Sequence, residues 1–186
     1  MRAQRLYAAL PLAALLFAAG NLPAQTKPAP IKPVDARSTI DFSIRNFGIR
    51  VTGSFKGMEG NIQFDPAHLD QANFDIGLDA NSVNTDNSMR DDHLRGESYL
   101  DSKHFPRIRL VSTKVLPSNK TGVWFLNGKL TIKGHTKDIS FPFSATPATD
   151  GYLFKGTFKI MRKEFEVGGT SPISDEMDIT LSVFAN

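Results

Sequence analysis

The sequence of 186 residues contains no cysteine. This absence excludes disulfide bonds, a thiolate metal site, a catalytic cysteine and a lipid-modified N-terminal cysteine. The folded chain must therefore be held together by packing alone.

Neither sign of charge dominates the sequence. Lysine and arginine number 22 and aspartate and glutamate 19, which gives a net charge of +3. Arg2 and Arg5 lie in the first segment, and without them 20 basic residues face 19 acidic ones, a net charge of +1. The composition gives no support to nucleic-acid binding.

Long hydrophobic runs are also scarce, because only residues 6–19 form one. Two arginines precede this run and small residues follow it as far as Ala24, a layout typical of a secretory signal peptide; an uncleaved membrane anchor is the alternative. We expect a signal peptide at 1–24, cleavage after Ala24 and export to the periplasm. The remaining chain of about 160 residues suits a single soluble domain with no transmembrane segment.

Motifs for catalysis or metal binding are missing. The histidines show no HxH or HExxH spacing, and no GxSxG elbow is present. Gly128-Lys129 does not complete a phosphate loop, because Leu130 stands where a hydroxyl is required. We therefore predict no metal, no cofactor and no catalytic residue. The four histidines are His68, His93, His104 and His135.

What the sequence does contain is an alternation of apolar and polar residues, which is typical of β-strands with one dry face. Residues 25–33 hold three prolines and predict an extended linker, so the domain is expected at 34–186. Turn signals such as Lys56-Gly57 and Asp150-Gly151 separate the runs. Eight or nine antiparallel strands are predicted. The apolar runs lie within 40–44, 49–55, 58–64, 74–80, 108–111, 124–132, 139–145, 152–160 and 177–183.

A sheet of this size must bury its dry face in a sandwich or by closing into a barrel. Phenylalanine is abundant on that face and glycine recurs there, for example at Gly53 and Gly156, which favours closure. We predict an all-β fold, a single closed antiparallel β-barrel of about eight strands. Such a barrel can hold one small ligand, although an apolar stripe more often fills a core.

Residues 84–106 interrupt the alternation with closely spaced charges. Thr85 or Asp86 can cap a helix that ends at Gly96, which predicts a short helical lid near residues 85–96. About three turns are expected, with Met89 and His93 on the side facing the barrel mouth; a surface loop is the alternative.

The same stretch holds the residue types of acid–base catalysis in Asp91, Asp92, His93 and Glu97. No nucleophile motif accompanies them, so a solvated face with ion pairs is the preferred interpretation. Four arginines could bind a polar ligand head at the rim or form ordinary surface pairs. They are Arg45, Arg90, Arg95 and Arg162.

Four motifs in order give the chain a family resemblance over residues 34–183. RDDHLRGESYLDSKHFPRIRLVS resembles the RDxHLRSxDFFDxxxYPxIxFxS signature of the YceI-like, polyisoprenoid-binding periplasmic proteins. VDARSTIDFSIRNFGIRVTGSFKGMEGNIQFDP, LNGKLTIKGHTKDISF and ISDEMDITLSV are similar to the opening, middle and closing motifs of that family. Asn46 departs from the pattern where the family often has histidine, and Glu166 where glycine usually follows the aromatic residue.

The resemblance implies a lipocalin-like barrel whose apolar tunnel holds a polyisoprenoid, a quinone-like chain or a fatty amide or acid, without catalysis. The bound lipid would be its ligand, and no cofactor is implied. The expected tunnel residues are Phe42, Phe55, Phe64, Phe74, Leu78, Leu126, Phe141, Phe143, Phe154 and Phe158. The expected rim and lid residues are Arg45, Asn46, Arg90, Asp91, His93, Leu94, Tyr99 and Arg162.

We therefore predict an exported, soluble protein that sequesters or carries a long-chain apolar lipid. One alternative is an enzyme that acts on a lipid head group at the lid through His93 with Asp91 or Asp92. Another is a stress-protective barrel with a filled core. A homodimer formed through an exposed strand edge is left open.

Overall fold

The computed structural model describes residues 29–170 and 172–186. The predicted signal peptide at 1–24 lies outside the described residues. Eight strands and one α-helix, α1, make up the fold, together with short 3₁₀ turns. The elements are β1 (Thr39–Asn46), β2 (Ile49–Gln63), β3 (Asn73–Asn84), α1 (Ser88–Arg95), β4 (Arg107–Pro117), β5 (Val123–Ile132), β6 (His135–Ala148), β7 (Gly151–Met161) and β8 (Ile173–Ala185).

The strands form a closed barrel in which each strand is antiparallel to its neighbours in the chain, and β8 returns to pair with β1. The closing ladder places Phe42 opposite Ile179. Alternation along β1 turns Phe42 inward, where it is buried, and leaves Asp41 exposed. The predicted single closed barrel of eight strands is confirmed.

β2 is one strand of 15 residues, so the turn predicted at Lys56-Gly57 is wrong. The ladder with β3 shifts register on both sides of Lys56, and Gly57 has a φ of 69°. Only glycine adopts this backbone conformation without strain, and here it allows the strand to bulge and continue. The local signal for a turn and for a bulge is the same residue type.

The predicted helix is present but begins later than expected. Asn87, rather than Thr85 or Asp86, is the N-cap, and its side chain accepts a hydrogen bond from the Arg90 amide at 3.0 Å. The helix has eight residues, about two turns rather than three. Gly96 follows it as the C-cap, as predicted.

The two ends of the barrel carry different connections. We call the end that bears α1, the β1–β2 turn and the β7–β8 connection the lid end, and the opposite end the filled end. At the filled end Lys32 and Asn186 exchange backbone hydrogen bonds of 2.8 and 3.0 Å, and Ile31 bridges to Ile62. Barrel contacts thus begin at Ile31, inside the segment predicted as a linker.

No helix in the described part of the chain is long and apolar enough to cross a membrane.

Candidate functional site

A cavity occupies the lid half of the barrel interior. The space that the centre of a water molecule can occupy in it is about 120 Å³. Among the described residues, the lining is aliphatic and aromatic except for Arg162. An apolar enclosure of this kind suits an apolar ligand. The lining residues are Ile40, Phe42, Phe55, Ile76, Leu78, Leu100, Ile108, Leu110, Leu130, Ile132, Phe158, Ile160, Arg162, Phe165, Val167, Met177, Ile179 and Leu181.

Aromatic side chains fill the other half of the interior. Phe64 lies at the centre, with ring centroids of 5.2 Å to Trp124 and 5.5 Å to Phe154 in edge-to-face arrangements. Phe74 and Phe143 join the same cluster at a centroid distance of 5.4 Å. Rings at these separations pack favourably and leave no room for a chain between them.

The ten predicted tunnel residues divide between these two halves. Phe42, Phe55, Leu78 and Phe158 line the cavity. The other six lie in the described core outside the lining, and they are Phe64, Phe74, Leu126, Phe141, Phe143 and Phe154. The ring of Phe141 stacks on Phe158 at 4.3 Å, so this pair marks the boundary between the halves.

Sequence reasoning missed many lining residues for two different reasons. Aliphatic residues such as Ile179 and Leu130 carry the same period-two signal as the phenylalanines, but the signal does not give their depth along the barrel. Leu100, Phe165 and Val167 lie in connections, where no period marks them.

The connections that carry these three residues close the lid end and are joined to each other. The amide of Gly168 donates to the Ser98 carbonyl at 2.8 Å. Gly168 has a φ of 80°, and a Cβ on it would lie 2.9 Å from the ring of Tyr99. Glycine is required here both for the left-handed backbone and for the approach of Tyr99.

Charged side chains of the predicted lid segment, residues 85–96, attach α1 to the barrel wall. We call them the lid motif. Asp91 is 6% exposed, and its Oδ1 accepts hydrogen bonds from the Thr85 amide at 2.9 Å and the Thr85 hydroxyl at 2.5 Å. Arg90 donates from Nε to the same hydroxyl and from Nη2 to the Thr85 carbonyl, both at 2.8 Å. Thr85 is thereby hydrogen-bonded to the side chains of both Arg90 and Asp91, which are consecutive residues of the helix.

Arg95 adds a second attachment to β3. Its Nε and Nη2 donate to the carbonyls of Asn81 and Val83 at 2.8 and 3.0 Å, while Nη1 pairs with Asp92 at 2.9 Å. These bonds satisfy carbonyls at the end of a strand, where the ladder no longer does so.

The prediction that Met89 and His93 face the barrel mouth is wrong, because both side chains are exposed. Asp91, Leu94 and Arg95, spaced three and four residues apart, form the face that meets the barrel. The buried hydrogen bonds of Asp91 decide the orientation of so short a helix.

Asp91 and Asp92 form their hydrogen bonds with residues other than His93. Asp91 is engaged by Thr85 and Asp92 by Arg95. Among residues 29–170 and 172–186, no hydrogen bond to the His93 ring is present, and no group of three or more His, Cys, Asp or Glu side chains could hold a metal ion.

Arg162 is the charged residue of the cavity lining and is 3% exposed. Its guanidinium donates to the carbonyls of Val167 at 2.6 Å, Ile173 at 2.9 Å and Ser174 at 3.0 Å. Charge-assisted bonds to carbonyls satisfy a buried guanidinium and fix the β7–β8 connection around it. Arg162 therefore organises the wall that closes the lid end.

The two departures from the family pattern lie at the lid end. Asn46 stands opposite Ile49 in the β1–β2 hairpin, next to the turn. Glu166 has a φ of 54°, in the region that glycine occupies most easily. Lys133 Nζ donates to the Glu166 carbonyl at 3.0 Å, and His135 Nε2 lies 3.5 Å from its carboxylate.

The residues whose pKa values are shifted lie away from the cavity. Arg109 donates to both carboxylate oxygens of Asp75 at 2.8 and 2.7 Å across β3 and β4. These hydrogen bonds lower the pKa of Asp75 and raise the pKa of Arg109. At the filled end, the hydrogen bond to His68 lowers the pKa of Asp65 in the same way.

Eight antiparallel strands closed around an apolar cavity define a lipocalin-like barrel, a class whose interior is wide enough to hold one small ligand. Residues 31–185 match the family model described as the YceI-like domain, and the chain belongs to that family. This confirms the resemblance carried by the four motifs.

Relatives of similar length share about a third of the residues. A UPF0312 protein of Pseudomonas fluorescens is 30% identical over 187 residues, which covers 94% of this chain and 93% of the relative. A UPF0312 protein of Yersinia pestis is 31% identical, with the same coverage of both chains.

Solved structures share the barrel. BcnA of Burkholderia cenocepacia is 26% identical with a TM-score of 0.78, covering 83% of this chain and 99% of that chain. A YCEI protein of Campylobacter jejuni is 28% identical with a TM-score of 0.65, covering 73% and 84%. A polyisoprenoid binding domain from Saccharophagus degradans shares the fold at 12% identity and a TM-score of 0.69, covering 84% and 97%.

Proposed function

We propose that this protein binds and carries a long-chain apolar lipid, with the chain in the lid-half cavity. The observation that carries the proposal is the lining, which is apolar at every described position except Arg162. Each methylene moved from water into such a lining contributes about 0.8 kcal/mol, so a hydrocarbon chain gains enough to be held in solution. No catalytic step is part of the proposal.

The ligand classes that fit are a polyisoprenoid, a quinone-like chain and a fatty amide or acid. The Saccharophagus degradans domain is described as polyisoprenoid-binding, which supports the first class by likeness of fold. A chain longer than the cavity would have to displace the stacked pair Phe141 and Phe158 to reach the filled half. The head group would then remain at the lid end, near Leu100 and Phe165.

We place this function in the periplasm, after export through a cleavable signal peptide at 1–24. Support comes from the order of Arg2, Arg5, the apolar run 6–19 and the small residues that follow it. The N-terminal residue of the protein purified from periplasmic extract tests this part, and we expect Gln25.

Lipid extraction tests the binding proposal. Organic solvent applied to the purified protein, followed by mass spectrometry, is expected to release about one lipid per chain, or the protein should take up one prenyl or fatty chain when these are added. Leu130→Trp places a large ring in the cavity and is expected to abolish this lipid, whereas Leu130→Met keeps the side-chain volume and should retain it. The proposal fails if the native protein neither contains nor takes up lipid, or if folded Leu130→Trp carries as much as Leu130→Met.

A separate substitution tests binding against catalysis. His93→Ala removes the exposed imidazole on α1 and is expected to leave the lipid content unchanged. Accumulation of a modified lipid by the native protein but not by His93→Ala would instead establish an enzyme at the lid.

A further inference from the structure

The β1–β2 hairpin presents two large apolar side chains to solvent at the lid end. Phe47, in the turn, is 77% exposed and Ile49 is 71% exposed. The hairpin extends past the end of β3, since the described pairing of β2 with β3 begins at Ser54 and Asn84. The tip therefore stands clear of its neighbour on that side.

Turn geometry gives no reason for an aromatic residue at the tip. Phe47 has a φ of 49° and Gly48 a φ of 80°, the pair of left-handed conformations of a two-residue hairpin turn. Asparagine or aspartate occupies the first of these positions with less strain than phenylalanine. The sequence thus keeps a bulky apolar group where neither burial nor backbone conformation favours it.

Two arginines flank the apolar tip. Arg45 and Arg50 are directly opposite each other on the outer face of the hairpin, a like-charge pairing that is unfavourable. Arg45 donates to the Gly48 carbonyl and Arg50 to the Ser43 hydroxyl, and within the described residues neither forms an ion pair with an acidic side chain. Each guanidinium group can therefore bind an anionic group from outside the chain.

We propose that this tip, formed by Arg45, Phe47, Ile49 and Arg50, docks on an anionic lipid bilayer. Phe47 and Ile49 enter the boundary between head groups and acyl chains, and the two guanidinium groups bind lipid phosphates. The tip and the cavity share the lid end, so docking brings the connections that close the cavity to the membrane surface. The purpose of docking rests on the proposed lipid-carrying function; the binding itself does not.

Vesicle co-sedimentation tests the proposal. The full chain is expected to bind vesicles of phosphatidylcholine mixed with phosphatidylglycerol, and to bind pure phosphatidylcholine more weakly. Phe47→Asn with Ile49→Thr suits the turn and the strand, so the fold is retained, and should lower the partition coefficient about tenfold or more. Arg45→Gln with Arg50→Gln should remove the preference for the anionic vesicles and the salt dependence.

Phe125→Thr is the matched control. Phe125 is also an exposed aromatic residue, but it lies on the side of the barrel in β5, so its loss should leave vesicle binding unchanged. Trp124→Phe combined with Phe47→Trp leaves one tryptophan, at the tip. Its emission should shift to shorter wavelength on anionic vesicles and be quenched by brominated acyl chains.

Three results would overturn the proposal. The first is that the native chain fails to bind anionic vesicles. The second is that the tip variants bind these vesicles as well as the native chain does. The third is that the native chain forms a dimer which the tip substitutions separate, while vesicles bind neither form. The last result would make the tip an interface between copies. Lipid extraction of the tip variants shows independently whether the cavity still carries a ligand.

Discussion

Two neighbouring aspartates of the lid motif have opposite roles. Asp91 is buried and accepts two hydrogen bonds from Thr85, whereas the side chain of Asp92 is 76% exposed and pairs with Arg95. The sequence DDH offers no means of telling them apart, because the choice depends on which helix face meets β3. Once the face is known, the buried member of the pair is the structural one.

Asp91→Ala is expected to destabilise the protein. Truncation leaves the amide and hydroxyl of Thr85 buried without their acceptor, which costs about 1–3 kcal/mol of unfolding free energy. Asp92→Ala, one residue away on the same helix, should change that free energy by less than about 0.5 kcal/mol. Urea unfolding of both variants makes the comparison, and equal effects would contradict the assignment.

Arg162 supports the lid end through backbone carbonyls rather than through the cavity. Arg162→Met keeps the length of the side chain but leaves the carbonyls of Val167, Ile173 and Ser174 without this donor. We expect a loss of about 3 kcal/mol in unfolding free energy and faster amide exchange in the β7–β8 connection. Lys163→Met, at the exposed neighbouring position, should leave both unchanged.

At the scale of elements, β3 and β4 share the shortest ladder of the barrel, from Asp75 opposite Val111 to Asp79 opposite Arg107. At the lid end of this ladder, the segment that carries α1 connects β3 to β4. Arg109 and Asp75 reinforce the ladder on the outer face. A short ladder beside an inserted segment is where we expect local opening to be easiest.

The Asp75–Arg109 pair makes the stability of this ladder depend on acid pH. The pKa of Asp75 is lowered in the folded state, so its contribution is complete above its ordinary pKa of 3.8 and is lost as the pH falls through the lowered value. Asp75→Asn should therefore cost at most about 1 kcal/mol at neutral pH and nothing in strong acid. Urea unfolding across this pH range measures the difference.

Asp138→Asn is the control for this pH dependence. Asp138 pairs with Lys129 across β5 and β6, but its side chain is 82% exposed. We expect its effect on stability to be smaller at neutral pH. A larger effect at Asp138 than at Asp75 would show that the β3–β4 pair has no special role.

Elements with a strong period could be predicted from the sequence, and irregular ones could not. The alternation in β5 and β7 gave their position and their inner face. The turn predicted at Gly57 is a bulge, because bulges and turns use the same glycine conformation. The N-cap of α1 is Asn87 and not Thr85, because the Thr85 hydroxyl is engaged in a buried hydrogen bond with Asp91.

At the scale of the whole molecule, the barrel interior consists of a filled half and a lid half that contains the cavity. Closure and a strand number of about eight could be predicted from the sequence, because the apolar runs can be counted and glycine recurs on a dry face rich in phenylalanine. The division of the interior into two halves could not be predicted, since it depends on which rings lie at the same depth along the barrel. Phe64 and Phe143 meet at 5.9 Å, whereas Ile179 and Leu130 both face the cavity.

Identical substitutions on one strand should distinguish the two halves. Leu126→Phe adds volume to the filled half and is expected to cost about 1–3 kcal/mol of unfolding free energy. Leu130→Phe, four residues further along β5, enlarges a side chain that faces the cavity and should cost less than about 1 kcal/mol. Thermal or urea unfolding of the ligand-free variants measures both, and equal costs would mean that the cavity closes in solution.

The hydrogen bonds between Lys32 and Asn186 have a practical consequence for handling the molecule. Both extremities of the barrel domain emerge together at the filled end. A sensor surface, a fluorescent fusion partner or an affinity resin attached at either extremity would hold the molecule by its densely packed pole. The opposite pole, with its cavity and its exposed hairpin, would then point towards whatever is supplied in solution.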